Sequence, residues 1–263
     1  MTTATLPRIT DVVVLVLGAC VGSFLNVCIY RMPEGRSVVW PGSACPSCGH
    51  RLSWWENLPI FGYLILLGRC RRCHERISPQ YPLVEAIAAL MALVLWRHFG
   101  PGPELAAFAF FASCLIVAAF IDLKHRIIPD LITLPGIAAG LISSCLLTSI
   151  TCLDSLAGII AGGGVFFLVA WTYGLLTGRE GLGGGDIKLL AMIGAFLGWK
   201  AIPLVIMVSA GLGSIIGIAA MFVGRGGRHT AIPFGPFLSG AALLALLRGH
   251  EIITWYLRIL SGE

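Results

Sequence analysis

Eight apolar runs pass through this chain, and they decide what it can fold into. They cover residues 9–30, 82–98, 105–121, 131–150, 156–176, 187–199, 202–223 and 232–247. About 20 apolar residues suffice to cross a bilayer as a helix, and a helix satisfies its own backbone where lipid offers no partners. The run 187–199 is the shortest, and Pro203 marks the break before its successor. Charged residues are only 12% of the chain, against roughly 25% in soluble domains. Mean hydropathy is +0.89. The net charge of +5 over 263 residues is small, so no nucleic-acid partner is expected. The expected fold class is an all-α polytopic membrane protein with about eight transmembrane helices. Glycine runs such as Gly162 to Gly164 suit close helix packing in lipid. No cleavable signal peptide is expected: Arg31-Met-Pro33 follows the first run without a small-residue cleavage site.

The basic residues are distributed unevenly. If the stretch after the first run faces the cytoplasm, thirteen of the 18 Lys and Arg residues fall on that side. The positive-inside rule then places residues 31–81 in the cytoplasm, together with the connections carrying Asp122 and Asp186. The N-terminus and, with eight spans, the C-terminus are expected on the other side. Residues 31–81 are polar, Cys-bearing and too long for an ordinary connection. We therefore expect three parts: 1–31 a first span, 32–81 a small cytoplasmic domain, and 82–263 the remaining membrane domain.

The nine cysteines divide in two. Cys20, Cys28, Cys114, Cys145 and Cys152 lie in or beside apolar runs and read as small buried hydrophobes. Cys45, Cys48, Cys70 and Cys73 form two C-x2-C pairs separated by 21 residues. That spacing reads as a structural zinc site, since each knuckle offers two thiolates and four close the tetrahedron. His50 and His74 are alternative ligands. A pair of disulfides is the competing reading, and a cytoplasmic position argues against it.

Asp122 and Asp186 stand at the ends of apolar runs, and carboxylates at a membrane boundary are expensive enough to suggest function. Two of them on one face suit an aspartyl pair sharing a proton. The plainer alternatives are a pairing of Asp122 with Lys124 or Arg126, and an N-cap role for Asp186 after Gly183-Gly-Gly185. Asp130, after Pro129, reads as the cap of the next span.

Taken in order, several segments resemble the type IV prepilin peptidases. They are Gly22 to Pro33, Cys45 to His50, Trp55 to Pro59, Gly68 to Cys70, Tyr81 to Glu85, Ile121 to Asp130, Gly183 to Asp186, and Ile232 to Pro236. The stretch from Arg31 to Cys45 is shorter than in some members, and position 28 is Cys. The resemblance implies a membrane aspartyl protease with Asp122 and Asp186 as its catalytic pair. Such enzymes remove a short basic leader from prepilins or pseudopilins at the cytoplasmic face of the bacterial inner membrane, typically after a glycine. Many then methylate the new N-terminal residue with S-adenosyl-L-methionine. Pilus or type II secretion machinery and the lipid bilayer are the implied partners. The methyltransferase residues would lie in the cytoplasmic domain, with Gly68 and Glu85 as candidates ahead of Glu56 and Asn57. No glycine-rich nucleotide fingerprint supports them from spacing. The alternative class is an ion- or proton-coupled transporter with a regulatory zinc domain, which wants polar groups near mid-bilayer where these runs have almost none.

Overall fold

Each of the eight apolar runs becomes a helix in the computed structural model, which describes residues 9–147, 150–178, 183–222 and 233–261. Position 232, the expected start of the last span, lies outside the described residues, as do Arg8, Arg179, Arg225 and Arg228 of the charge tally. The helices are α1 (Ile9–Arg31), the short α2 (Phe61–Ile65), α3 (Gln80–Phe99), α4 (Pro103–His125), α5 (Asp130–Leu146), α6 (Cys152–Thr177), α7 (Gly184–Leu197), α8 (Ile202–Phe222) and α9 (Gly235–Ser261). Among the described residues there is no strand, only the isolated bridges Ala44 to Arg51 and Arg69 to Arg76.

Six of these helices are long and apolar enough to cross a membrane: α1, α3, α4, α6, α8 and α9. The other two are shorter, 17 residues in α5 and 14 in α7. A physical reason is visible in α7, where every residue from Leu189 to Phe196 is buried. A helix apolar on all sides and enclosed by protein need not match the bilayer thickness. The long helices instead expose large apolar side chains, such as Val16 and Phe24 on α1 and Leu168 and Ile215 on α6 and α8.

The chain divides into two compact units, Met1–Val117 and Ala118–Glu263, with the division inside α4. In the first, α1 and α3 run antiparallel. Arg97 in the last turn of α3 donates to Asp11 in the first turn of α1 at 2.9 Å. At the other end, Asn26 Nδ2 donates to the Tyr81 carbonyl at 3.0 Å. Gly18 and Gly22 permit the approach: a Cβ on Gly22 would lie 2.6 Å from the Glu85 Cα. In the second unit, α7 packs against α5 and α6. A Cβ on Gly158 of α6 or Gly194 of α7 would collide with the other's backbone carbonyl, so the two backbones touch there.

Two cysteine expectations are corrected. Cys145 and Cys152 are bonded to each other, with Cα atoms 5.3 Å apart. The end of α5 and the start of α6 face across a short connection, a proximity that seven residues of sequence cannot reveal. Cys20 is exposed on α1 rather than buried.

Candidate active site and metal centre

In the first unit, the four cysteines of the two C-x2-C pairs converge. Their Sγ atoms all lie within 4.8 Å of one another. Cys45 and Cys73 are 3.8 Å apart, and Cys48 and Cys70 are 3.9 Å apart. Four sulfurs about 2.3 Å from a central zinc would stand ~3.8 Å from each other, so the donor set fits a tetrahedral ion. The two knuckles are built alike. Gly49 N–H donates to the Cys45 carbonyl and His74 N–H to the Cys70 carbonyl. The Cys45 and Cys70 N–H groups donate to the carbonyls of His50 and Glu75. Gly49 and His74 both take the left-handed conformation that closes the turn.

His50 is not among the clustered ligands. Its Nε2 lies 3.3 Å from Glu56 Oε2. Glu56 is buried and also accepts from the Ser53 N–H at 2.7 Å. That N–H, with the Ser53 hydroxyl and His50 behind it, holds the Glu56 carboxyl below the usual carboxylate range. Glu56 thereby ties the first knuckle to the loop that follows.

In the second unit, Asp122 lies in the last turn of α4 and Asp186 in the first turn of α7. Asp122 is buried and Asp186 half-buried. The Gly235 N–H, at the start of α9, donates to Asp122 Oδ2 at 2.8 Å. A Cβ on Gly235 would sit 2.8 Å from that same oxygen, so only glycine leaves the carboxylate room. A Cβ on Gly185 would stand 2.9 Å from the Ile128 Cβ, and its absence lets the start of α7 close onto the connection after α4. Both carboxylates lie in the second compact unit, Asp122 at the end of α4 and Asp186 at the start of α7. The N-cap of α7 is Gly183 rather than Asp186, so the capping alternative fails. Asp130 is not a cap either. Pro129 holds that position, and Asp130 accepts from Lys188 Nζ at 2.7 Å on both oxygens.

Gly235 lies in the segment Ile232 to Pro236, and no spacing in the sequence points from it to Asp122. Its hydrogen bond to a residue 113 positions away is a tertiary fact.

Gly68 and Glu85 lie in the first unit, each occupied locally. Glu85 is buried and its Oε2 accepts the Ile60 N–H at 2.7 Å. Gly68 has φ +68 and is covered by Tyr63, whose hydroxyl would lie 2.9 Å from an added Cβ. Glu56 ties down the first knuckle, and the Asn57 N–H donates to the Ser53 carbonyl.

Residues 109–218 match the type IV leader peptidase family, and residues 16–99 match the bacterial peptidase A24 N-terminal domain. The chain is similar to a prepilin leader peptidase/N-methyltransferase of Pseudomonas putida, 38% identical over 94% of this chain and 93% of the relative. Proteins of the same name from Aeromonas salmonicida and Pseudomonas aeruginosa are 37% and 38% identical. They align over 96% and 93% of this chain and 95% and 92% of their own lengths. The chain belongs to the type IV leader peptidase family. It is a multi-pass membrane protein of that family, and nothing in these relatives favours the transporter alternative. No solved structure matches it.

Proposed function

We propose that this chain is a membrane-embedded aspartyl endopeptidase that removes the leader of prepilin-like proteins, with Asp122 and Asp186 as its catalytic pair. The observation that carries the reading is the buried Asp122, fixed by the Gly235 N–H, in the same compact unit as a second carboxylate, Asp186, at the start of α7. Two close carboxylates hold one proton between them, so they titrate as a pair. The ionised member takes a proton from water as the water oxygen attacks the scissile carbonyl carbon. The protonated member donates to the carbonyl oxygen. When the tetrahedral intermediate collapses, the proton taken from water passes to the leaving amine nitrogen and the C–N bond breaks. The aspartate that had donated takes back a hydroxyl proton as the C=O re-forms, so the pair again holds one proton.

The proposal extends to the rest of the chain. Residues 32–81 form a domain held by zinc on Cys45, Cys48, Cys70 and Cys73, between a first span (1–31) and the protease domain (82–263). Zinc there supplies folding energy rather than chemistry, because four thiolates leave no open position. The active site faces the cytoplasm of a bacterial inner membrane, and the substrates serve pilus or type II secretion machinery. N-methylation with S-adenosyl-L-methionine enters through the relatives' double name. Gly68 and Glu85 remain the residues proposed for it by position. Their surroundings do not form a cofactor cradle, since Glu85 holds Ile60 and Gly68 lies under Tyr63, so no methyl-transfer step is derived through them.

The test is cleavage of a purified prepilin by the reconstituted protein. Asp122→Asn and Asp186→Asn should each be folded and inactive, and full activity in either would remove the dyad.

A further inference from the structure

A short segment of the zinc-bearing insert is more apolar on its surface than a solvated loop should be. Between Leu58 and Leu67, five large apolar side chains stand exposed: Leu58, Phe61, Leu64, Ile65 and Leu67. Phe61 is 65% exposed and Leu67 85%. In water such a cluster is an unpaired interaction surface.

The backbone fixes the depth of this segment. The Ile60 N–H is bound by Glu85 Oε2, and Glu85 is a buried residue of the spanning helix α3. At 1.5 Å per residue, Glu85 lies about 8 Å along the helix from its first residue, Gln80. Ile60 also takes φ +63, a conformation a β-branched residue rarely adopts, so the segment is held in place by its surroundings rather than by its own preference. Gly62 packs on the Glu56 backbone so closely that an added Cβ would collide with the Glu56 carbonyl. The apolar side chains of α2 therefore stand at the level of the first turns of α3. Exposed Leu83 of α3 lies at that level, and Phe24 is exposed near the same end of α1. The apolar surface of the two spans thus continues onto the insert. Arg69, Arg71 and Arg72 follow directly, all exposed, with Arg71 over the Trp55 ring at 5.2 Å.

We propose that residues 58–67 form an apolar knob seated in the headgroup region of the leaflet from which α1 and α3 emerge, with the following arginines facing anionic headgroups. An apolar face with basic residues beside it is the pattern of an interfacial anchor. The knob gives the insert a third attachment to the bilayer besides its two helical tethers. Glu85 sets its height as a positioning residue. The inference rests on α1 and α3 spanning the membrane and is independent of the peptidase chemistry.

The test uses the full chain in phosphatidylcholine–phosphatidylglycerol vesicles, with a benzophenone-bearing residue placed singly at Leu64 or Leu67. Both positions are exposed, so the substitution disturbs no packing. After irradiation, mass spectrometry should find phospholipid adducts as abundant as those from the same probe at Leu90, an exposed residue within α3. The probe at the exposed Glu75 should give none. Glu85→Ala should lower the adduct yield at Leu64, and Glu85→Gln, which keeps an acceptor oxygen, should restore it. Probes at 64 and 67 that give no lipid adduct would overturn the proposal, as would adducts to a second copy of the chain. An unchanged yield in Glu85→Ala would overturn the anchoring role. Leader cleavage measured on the same vesicles separates these outcomes from a failure of the peptidase reading.

Discussion

The backbone N–H of Gly235 donates to Oδ2 of Asp122 at 2.8 Å, joining the first residue of α9 to a buried carboxylate 113 residues earlier in the chain. The bond occupies one carboxylate oxygen and leaves Oδ1 for water or the shared proton. Because the donor is backbone and the space beside it holds no Cβ, the contact depends on glycine. Gly235→Ala keeps the donor but pushes the carboxylate aside. A displacement near 1 Å costs on the order of 100-fold in rate. The expected loss is in kcat for leader cleavage, with KM little changed and helicity by circular dichroism intact.

The aspartates should separate cleanly by role. Asp122→Asn and Asp186→Asn should each abolish cleavage, whereas Asp130→Asn should retain most of it. Asp130 is an exposed partner of Lys188, and pairs of that kind contribute about 0–1 kcal/mol. A thermal melt of Asp130→Asn close to that of the parent, with activity preserved, is the expected result.

One zinc per chain should accompany the purified, reduced protein, measured by mass spectrometry of the metal. Cys48→Ser should lose it and increase hydrogen exchange across residues 40–75, while α7 stays protected. Glu56 adds a pH handle. Its folded carboxyl sits below the usual range, so its contribution is present above about pH 4.3 and is lost as pH falls through the lowered value. Glu56→Gln should therefore loosen the first knuckle at neutral pH and flatten the acid end of the stability curve.

The contact of α6 with α7 should tolerate no bulk. Gly158→Leu forces side-chain atoms into the Gly194 carbonyl. Overpacking typically costs about 1–3 kcal/mol, and more where backbone must move. The variant should melt well below the parent or fail to accumulate in membranes. Gly164→Leu, at a position with open space around it, should not.

The Cys145–Cys152 bond offers a check on orientation. It joins the end of α5 to the start of α6, and α5 spans about 25 Å from Asp130 at 1.5 Å per residue. A disulfide persists in an oxidising compartment such as the periplasm. If residues 31–81 face the cytoplasm, a thiol placed at Glu75 in intact cells should escape a membrane-impermeant reagent, and one placed at Gly102 should react. The 145–152 bond should form only in cells that can oxidise periplasmic thiols. Labelling at 75 from outside would reverse the topology.

All eight apolar helices could be read from the sequence, because runs of apolar residues leave the backbone in lipid no choice but to bond to itself. The four-cysteine cluster was equally legible, since a C-x2-C pair carries its geometry in its spacing. Both candidate catalytic aspartates could be named from their place at the ends of apolar runs and from the order of surrounding motifs. The tertiary structure decided what depends on approach between distant segments. It assigned Asp130 to Lys188 rather than to a cap, joined Cys145 to Cys152, gave Glu85 to the Ile60 N–H, and brought Gly235 to Asp122. Each of these is a contact made by backbone atoms or by side chains whose partner lies elsewhere in the chain. Apolar runs fix which segments become helices, but only packing fixes which of their polar atoms meet.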